Sequence, residues 1–204
     1  MDSNRLTSIL IPSRYEEKTI IQTLRSIIEC FNRSNKRYEL IVVVDQLSKD
    51  NANSVLMAFA RENPHTKIIH NANNPGFGNA IRLGLNHFTG DWVIITMADG
   101  SDDPEDMISY AYQMEKGYDC CFGTRWKGKG LTRNYPLHKL VLNRFANWFI
   151  QLLFGIRYND TTNAFKCYSR DTIMGINPII SYHFNLTVEL PIKAIIRGYS
   201  YSVI

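Results

Sequence analysis

The chain has 204 residues, of which 45% are hydrophobic and 21% charged, a composition that fits one ordinary globular domain with a sizeable core. Its net charge of +4 permits anionic partners such as nucleotides or lipid phosphates, but is too small to indicate a nucleic-acid-binding protein. No stretch reaches the ~18 apolar residues that a membrane span requires, and the amino terminus leads straight into a predicted strand with no room for a signal peptide, so we expect a cytoplasmic protein.

The first part of the chain consists of short apolar runs that alternate with segments of helical apolar spacing. The apolar runs predict strands at residues 7–11, 38–44, 67–70 and 118–123, and a further strand that ends at 97. The segments between them predict helices at 17–31, from 50 or 51 to about 61, from the 73–79 loop to 88, and at 104–116. Regular alternation of this kind predicts an α/β fold with a parallel, doubly wound sheet and right-handed crossovers.

One long helix dominates the second part of the chain. It is predicted at residues 136–154, where large apolar residues surround a narrow polar stripe formed by Asn143, Arg144, Asn147 and Gln151. This broad apolar surface predicts either packing on the sheet or a position in a membrane interface. A strand at 164–168, a helix at about 186–197 and a strand at 199–204 follow. Because the chain ends inside this last strand, we expect it to be truncated there.

No internal repeat, low-complexity segment or linker divides the chain, so we expect a single domain. The four cysteines show no metal-ligand spacing; they are Cys30, Cys120, Cys121 and Cys167. Cys120 and Cys121 are adjacent in a predicted strand and would point to opposite faces of the sheet. This pattern predicts reduced core residues.

A cluster of carboxylates follows the strand that ends at 97. Asp99 lies at the carboxyl end of this strand, which is where open α/β sheets bind their ligands. Like charges at such short spacing raise each other's pKa unless a cation neutralises them, and a divalent ion held by one or two carboxylates commonly also holds phosphates. We therefore predict that Asp99 binds a divalent cation, Mg²⁺ or Mn²⁺. For the acids at 103–106, around Pro104, capping of the next helix is the preferred interpretation.

Polar residues also follow other predicted strands, and we expect them to lie in the same ligand-binding crevice as Asp99, at the carboxyl ends of the strands. Asp45 follows the second strand, and its carboxylate could accept a hydrogen bond from the ring N–H of a base. Gly76 and Gly78 would let the backbone approach an anion at the start of a helix, although two glycines also make ordinary turns. Arg125 follows the strand at 118–123, where its guanidinium could clamp a phosphate or form a surface ion pair.

Together these segments resemble the family-two inverting glycosyltransferases of the GT-A fold. The resemblance is carried by residues 11–17, 43–50, 74–84, 90–91, 98–105 and 123–125. Residues 159–168, 184–190, 193–194 and 198 resemble the polyprenyl-phosphate branch of that family, which includes the dolichyl-phosphate mannosyltransferases. The resemblance implies one catalytic domain over residues 1–204, with a Rossmann-like, mostly parallel sheet flanked by helices. Residues 1–124 would bind the nucleotide sugar, and the helical segment within 125–204 would face the acceptor.

The resemblance also implies roles for individual residues. Donor contacts would come from Pro12, Ser13, Glu16, Asp45, Gly76, Gly78, Asn79 and Ala98. Asp99, Ser101 and Asp102 would hold the metal on the donor diphosphate, and Arg125 would meet the phosphates. The acceptor phosphate would be met by cations that include Lys139, Arg144 and Lys166. Asp160 and Glu189 stand beside these cations, as a base or as groups that orient them.

The chain departs from the family pattern at several positions. Met97 replaces the first acid of the usual Asp-x-Asp pair, and a thioether is a poor ligand for a hard cation. The metal would then be held more weakly, or Asp102 would compensate. Gln46, Leu47 and Tyr15 also depart from the pattern, which leaves the base of the donor open between uridine and guanosine. Lys166 stands where an arginine is commoner and keeps the positive charge.

The implied reaction moves a hexose from a GDP- or UDP-linked donor to a polyprenyl phosphate at the cytoplasmic face of a membrane. A phosphate acceptor is already ionised at neutral pH, so it needs cations rather than a base, whereas a hydroxyl acceptor needs a carboxylate to take its proton. Two alternatives stay open. One is transfer to a glycan hydroxyl with Asp160 or Glu189 as base, and the other is a nucleotide-sugar-binding module without turnover, since Met97 damages the acid pair. No nucleic-acid partner is expected.

Overall fold

The computed structural model describes residues 5–45, 51–72, 75–126 and 137–204, and within α5 it describes side chains from residue 140 onward. The strands are β1 (Leu6–Ser13), β2 (Arg37–Asp45), β3 (Thr66–Asn71), β4 (Trp92–Ile95), β5 (Cys120–Phe122), β6 (Lys166–Ser169) and β7 (Tyr201–Val203). The helices are α1 (Ile20–Arg33), α2 (Ala52–Glu62), α3 (Phe77–Leu85), α4 (Pro104–Glu115), α5 (Leu137–Phe154), α6 (Arg170–Gly175) and α7 (Leu186–Ile196). These elements agree with the predicted α/β fold.

The strands form one seven-stranded sheet in the order β3-β2-β1-β4-β6-β5-β7. It is mostly parallel, as predicted, because β1 pairs in parallel with β2 and β4, β2 with β3, and β5 with β7. The exception is β6, which is antiparallel to both β4 and β5 and whose direction was not predicted. The chain between β5 and β6 therefore leaves and re-enters the sheet at the same edge, and this keeps α5 beside the carboxyl ends of the parallel strands.

The core has two layers, one on each face of the sheet. Side chains of α1, α2 and α4 cover one face, and side chains of α3, α6 and α7 cover the other. Cys121 belongs to the first layer and Cys120 to the second, and all four cysteines are free and buried, which confirms the prediction. Burial raises the pKa of the Cys120 and Cys121 thiols to about 12, so these side chains behave as apolar core groups.

Two elements differ from the prediction. The helix α3 ends at Leu85 rather than at 88, because the chain turns at Asn86 and His87. The short helix α6 was not predicted; it begins after Ser169, whose hydroxyl accepts a hydrogen bond from Thr172 N at 3.1 Å.

Candidate active site

The residues predicted to bind a sugar donor lie along the carboxyl edge of the parallel strands. Because β2, β1 and β4 are neighbours in that order, Asp45, Ser13 and the loop that starts at Thr96 come side by side. Asp45 is buried, and its Oδ2 lies 3.8 Å from Arg14 Nε. The buried Ser13 hydroxyl has no hydrogen-bond partner within the described ranges, which leaves hydrogen-bonding capacity for a ligand.

The other residues predicted to bind the donor are close to this edge. Pro12 and Ala98 are buried, and the carboxylate of Glu16 accepts a hydrogen bond from Thr19 Oγ1 at 3.1 Å. The carbonyl of Ala98 accepts a hydrogen bond from Thr23 Oγ1 on α1, also at 3.1 Å. The loop after β4 is thereby fixed to α1.

The acids of this loop have different environments. Asp99 is exposed, and its Oδ1 accepts a hydrogen bond from Ser101 N at 3.0 Å. Asp102 is turned inward: its Oδ2 accepts hydrogen bonds from Thr96 Oγ1 at 2.8 Å and from Met97 N at 3.0 Å. Burial raises the pKa of Asp102, and these hydrogen bonds oppose the increase. Asp102 thus stabilises the loop, and its predicted compensation for the acid missing at Met97 loses support.

The predicted cap of α4 is confirmed. Asp103 has an extended backbone and its Oδ1 accepts a hydrogen bond from Glu105 N at 3.0 Å, with Pro104 as the first helical residue. Glu105 and Asp106 in the first turn complement the helix dipole.

The oxygen ligands that this loop offers fit a divalent cation. No three His, Cys, Asp or Glu side chains converge on a possible metal site in the described part of the chain. Mg²⁺, however, is commonly bound by one or two carboxylates together with substrate phosphates rather than by a complete protein cage. The exposed carboxylate of Asp99 and the hydroxyl of Ser101 at the strand end suit that arrangement.

An ion pair between Arg125 and the buried Asp160 lies in the part of the chain that was predicted to face the acceptor. Arg125 donates through Nε and Nη2 to the two carboxylate oxygens of Asp160, and its backbone N–H donates to the same carboxylate at 2.8 Å. Asp160 is fully buried, whereas the Arg125 side chain is 30% exposed. Arg125 Nη2 also donates to Thr162 Oγ1 at 2.9 Å. This bidentate geometry fixes the plane of the guanidinium, so Asp160 orients Arg125.

A cleft of about 910 Å³ joins the acid loop to this ion pair. Met97, Ser101 and Asp102 line one side, and Arg125 and Thr162 line the other. Its volume is within the range of about 300–1,000 Å³ that is usual for ligand sites. The carboxyl ends of β4 and β5 thus contribute opposite charges to one cavity. Asp45 and Asp99, which were predicted to share a crevice with Arg125, are not among the residues that line it.

Several residues of this cleft were missed by the sequence analysis. Tyr110 and Asn163 line it, with Tyr110 Oη donating to Phe165 O at 3.1 Å and Asn163 Nδ2 donating to Gly123 O at 3.2 Å. Asp106 also lines the cleft, and burial and the neighbouring Asp103 raise its pKa. None of these has a motif of its own: Asp106 and Tyr110 are ordinary positions of α4, and Asn163 reaches the cleft through the antiparallel return of the chain into β6.

Two residues predicted to act at the acceptor are contradicted by their contacts. Lys166 is buried, and its ammonium donates to the carbonyl oxygens of Thr161, Asn163 and Thr187, so its predicted role as a phosphate ligand is wrong. Burial lowers the pKa of Lys166 to about 7. Glu189 is absent from the cleft lining; it pairs with Lys193 and accepts hydrogen bonds from the amides at 180 and 181. That position contradicts a role as base.

The glycines at the start of α3, Gly76 and Gly78, have a packing role that was not predicted. A Cβ on Gly78 would lie 2.6 Å from the carbonyl carbon of Tyr182, and a Cβ on Gly76 would lie 3.0 Å from Tyr182 O. Asn79 N already donates to Tyr182 O at 3.2 Å. The glycines therefore allow a protein segment to pack against the start of α3, and the anion predicted there would compete with that segment.

The helix α5 has its polar side inward. Asn147 is buried, and its Oδ1 accepts hydrogen bonds from Thr161 N at 2.7 Å and from Thr161 Oγ1 at 2.8 Å. Asn143 Nδ2 donates to Thr162 Oγ1 at 3.0 Å. The apolar side chains point outward, and the most exposed are Val141, Leu142, Phe145, Leu152 and Leu153. Packing of this apolar face on the sheet is therefore excluded.

Two of the cations predicted to meet the acceptor phosphate, Lys139 and Arg144, are residues of α5. Arg144 is exposed and absent from the cleft lining; its guanidinium lies 5.0 Å from the centroid of the Trp126 ring. The Lys139 side chain lies outside the described residues. Among the helices in the described ranges, none combines the length and the apolarity that spanning a bilayer requires.

Comparison with known proteins decides the family. A family model described as "Glycosyl transferase family 2" matches residues 8–175. The chain belongs to glycosyltransferase family 2. This confirms the resemblance of the strand-end motifs, and the family is one of inverting enzymes.

Relatives of this family-two chain include enzymes named for lipid-linked sugars. Polyprenol monophosphomannose synthase from Mycolicibacterium smegmatis is 28% identical over 171 residues, which are 78% of this chain and 63% of the relative. Undecaprenyl-phosphate 4-deoxy-4-formamido-L-arabinose transferase from Shewanella sediminis is 29% identical over 170 residues, 81% of this chain and 49% of the relative. The chain thus spans less than two thirds of the length of either. Both relatives support the polyprenyl-phosphate branch.

The fold of this family-two chain is that of a solved glycosyltransferase structure. Glucosyl-3-phosphoglycerate synthase from Mycobacterium tuberculosis, in complex with Mn²⁺, UDP and phosphoglyceric acid, matches with a TM-score of 0.72 at 17% identity. The match covers 98% of this chain and 68% of that one. The same synthase in complex with Mg²⁺ and UDP matches with a TM-score of 0.73 at 15% identity. The likeness confirms the predicted GT-A fold.

Proposed function

We propose that this chain transfers a hexose, with inversion, from a GDP- or UDP-linked donor to a polyprenyl phosphate at the cytoplasmic face of a membrane. The names of the two curated relatives support an acceptor of this class. The observation that carries the proposal is that both predicted bases are committed to ion pairs, Asp160 with Arg125 and Glu189 with Lys193. A site without a base at those positions suits an acceptor that is already ionised.

In this reaction a phosphate oxygen of the acceptor attacks the anomeric carbon of the sugar. The bond from that carbon to the oxygen of the donor diphosphate breaks, and the nucleoside diphosphate leaves with the electron pair. No proton has to be removed from the acceptor. Arg125, held in orientation by Asp160, would stabilise phosphate charge across the cleft.

The donor would lie along the strand ends. Asp45 and Ser13, whose buried hydroxyl has no partner among the described residues, would meet the nucleoside, and Pro12, Glu16 and Ala98 would complete this side. Asp99 and Ser101 would hold a divalent cation. When bound, the cation would neutralise negative charge on the leaving diphosphate.

The exposed apolar face of α5 supports contact with a membrane. Leu152 and Leu153 are 68% and 62% exposed, and Trp148 is 55% exposed. Aromatic and aliphatic side chains on one side of a helix are typical of helices that lie in the interface of a bilayer. A peripheral position there would give the cleft access to a lipid-borne phosphate.

A second candidate function is transfer to a glycan hydroxyl. It is favoured by Asp106, a carboxylate that lines the cleft and whose pKa is raised by burial and by Asp103. A general base requires a carboxylate within hydrogen-bond reach of the acceptor hydroxyl. In this reading Asp106, rather than Asp160 or Glu189, would be that base.

The proposal is tested by incubating the chain with GDP- and UDP-hexoses, Mg²⁺ or Mn²⁺, and either polyprenyl phosphate or a soluble glycan. We expect a glycolipid product that disappears with chelator. Asp99→Asn should reduce its formation about 100-fold or more, a usual cost of removing electrostatic stabilisation. The matched control Asp103→Asn removes a charge from the same loop but keeps a good helix cap, so it should retain most activity.

The two acceptor classes are separated by Asp106→Asn. Transfer to polyprenyl phosphate should stay near the wild-type rate, whereas transfer to a hydroxyl should be abolished. Labelling of the soluble glycan without glycolipid would reverse the proposal. Donor binding that is insensitive to chelator, with no transfer to either acceptor, would instead identify a nucleotide-sugar-binding module.

A further inference from the structure

A groove outside the cleft runs along α5. It has a volume of about 680 Å³ and lies between the helix and the segment that follows it, at residues 157–159. Arg144, Phe145 and Trp148 line it from the helix, and Arg157 lines it from the segment. None of these side chains lines the cleft that contains Arg125, so the groove is a separate feature.

The groove is cationic. Arg144 and Arg157 line it, and no Asp or Glu of the described residues does. Both arginines are exposed, and within the described ranges neither forms an ion pair. The Arg144 guanidinium is stacked over Trp126, which restricts its position. Guanidinium groups bind phosphate oxygens through paired hydrogen bonds, so an anionic phosphate is the ligand that this charge pattern favours.

The rim of the groove is apolar and aromatic. Phe145 and Trp148 are 59% and 55% exposed, and their ring centroids are 5.7 Å apart. They continue into the exposed aliphatic side chains of Val141 and Leu152 on the same helix. Arginines beside tryptophan at the edge of an apolar surface are typical of the boundary between lipid headgroups and acyl chains.

A second copy of the chain suits this surface less well than a lipid. In a two-fold symmetric contact each groove would face its own counterpart, because the same patch serves both subunits. Arg144 and Arg157 would then be brought towards the arginines of the other copy, and like charges across an interface oppose association. A bilayer with negative phosphates satisfies both the charge and the apolar rim.

We propose that this groove binds the headgroup phosphate of an anionic phospholipid, so that attachment of α5 to a membrane depends on the anionic lipid content. The inference rests on the proposed function in that both require α5 to face a bilayer. It differs because the groove lipid is not the acceptor: it would hold the chain at the surface while the acceptor phosphate enters the cleft at Arg125.

The test is co-sedimentation of the purified chain with two kinds of vesicle, phosphatidylcholine alone and phosphatidylcholine mixed with phosphatidylglycerol. We expect clearly tighter binding to the mixed vesicles. Arg157→Gln should weaken that binding about fivefold, and Arg144→Gln with Arg157→Gln about 25-fold, since each arginine near an anionic surface contributes on the order of one such factor. Arg157→Lys, which keeps the charge, should restore most of the binding and thereby exclude misfolding as the cause.

The matched control is Arg25→Gln, an exposed arginine on α1 outside the groove, which should bind mixed vesicles like the wild type. Equal binding of the wild type to both kinds of vesicle would overturn the inference, and so would an equal loss in Arg25→Gln. A dimer in light scattering that dissociates in Arg157→Gln would overturn it in favour of a second copy.

The transfer assay separates this inference from the proposed function. The ratio of glycolipid synthesis on mixed vesicles to synthesis in detergent micelles should fall in Arg157→Gln and stay unchanged in Arg25→Gln. An unchanged ratio in Arg157→Gln would contradict the inference while the enzyme remained active. If the wild type makes no glycolipid in either medium, the proposed function fails, and the vesicle-binding comparison still decides the inference.

Discussion

The helices α1 and α5 are both amphipathic, but they use their apolar sides in opposite ways. Ile20, Leu24 and Ile27 of α1 are fully buried against the sheet. Leu152 of α5 is 68% exposed, while the polar Asn147 of the same helix is 2% exposed. The helix α1 thus turns its apolar side towards the core, as expected of a globular protein, whereas α5 turns its apolar side towards solvent.

The difference has a physical cause in the hydrogen bonds beneath α5. The buried backbone N–H and hydroxyl groups of Thr161 require partners, and Asn147 supplies the acceptor for both. Turning the apolar face inward would leave these groups unsatisfied. An amphipathic pattern therefore defines two faces, and the polar groups of the surrounding structure decide which face is turned inward.

The largest difference in stability between the two helices is expected when one leucine of each is truncated to alanine. Leu24→Ala on α1 should lower the free energy of unfolding by about 2–5 kcal/mol, because it leaves a cavity in the core. Leu152→Ala on α5 should change it by no more than about 0.5 kcal/mol, because that side chain is exposed. Urea unfolding of both variants measures the difference. Equal losses would mean that Leu152 is covered in solution.

A smaller effect is expected from the inward polar side of α5. Asn147→Ala should lower the free energy of unfolding by about 1–3 kcal/mol, since it removes the acceptor for two donors of Thr161. The control is Gln151→Ala on the same stripe, whose exposed hydrogen bond to Arg157 O should contribute much less. Denaturant titration of the two variants compares them, and a larger loss for Gln151→Ala would refute the inward orientation.

The helix α1 also makes a polar contact with the loop after β4. Loss of this contact should lower the free energy of unfolding by less than the changes on α5 or in the core. Thr23→Val removes the hydrogen bond to Ala98 O and should lower the free energy of unfolding by about 1 kcal/mol. Since Ala98 directly precedes Asp99, the concentration of Mn²⁺ needed for half-maximal transfer should also rise. Ser26→Ala, on the exposed side of α1, is the control and should leave the Mn²⁺ requirement unchanged. If the Mn²⁺ requirement is unchanged in Thr23→Val, the hydrogen bond from Thr23 to Ala98 does not influence metal binding.

The smallest effect is a pH dependence on α7. Burial acts to raise the pKa of Glu189, but hydrogen bonds from Lys193, Ser181 and Ile180 prevail and lower it to about 2, from 4.5. A depressed carboxyl pKa stabilises the fold above pH 4.5 and loses that contribution as the pH falls towards 2. The difference in melting temperature between the wild type and Glu189→Gln should therefore shrink over this interval. Glu29→Gln, on the exposed side of α1, is the control for removal of a surface carboxylate.

Much of the fold could be predicted because local patterns coincide with tertiary roles. The strands β1, β2 and β4 are continuous apolar runs because both of their faces are covered. Asp103 and Pro104 indicate the start of α4 because a cap requires those residue types. The antiparallel direction of β6 was not predictable, since the short run Lys166–Ser169 carries no sign of direction.

The site was predictable to the extent that it depends on strand ends. Asp45, Asp99 and Arg125 each follow an apolar run, and parallel strands bring such positions to one edge. The roles of Lys166 and Glu189 were not predictable from charge alone. A lysine in sequence can meet a phosphate or three backbone carbonyls equally well, and only the packing of residues 161–163 and α7 around Lys166 decided between them.

The sequence by itself determined the alternating strands and helices, the family and the acid loop at the end of β4, because these are set by residues that are neighbours along the chain. The tertiary structure alone decided that Asp160 orients Arg125, that Lys166 is buried and that α5 presents its apolar side outward. The physical reason is that hydrogen bonds and ion pairs between segments distant in sequence fix those orientations, and no local pattern encodes their partners.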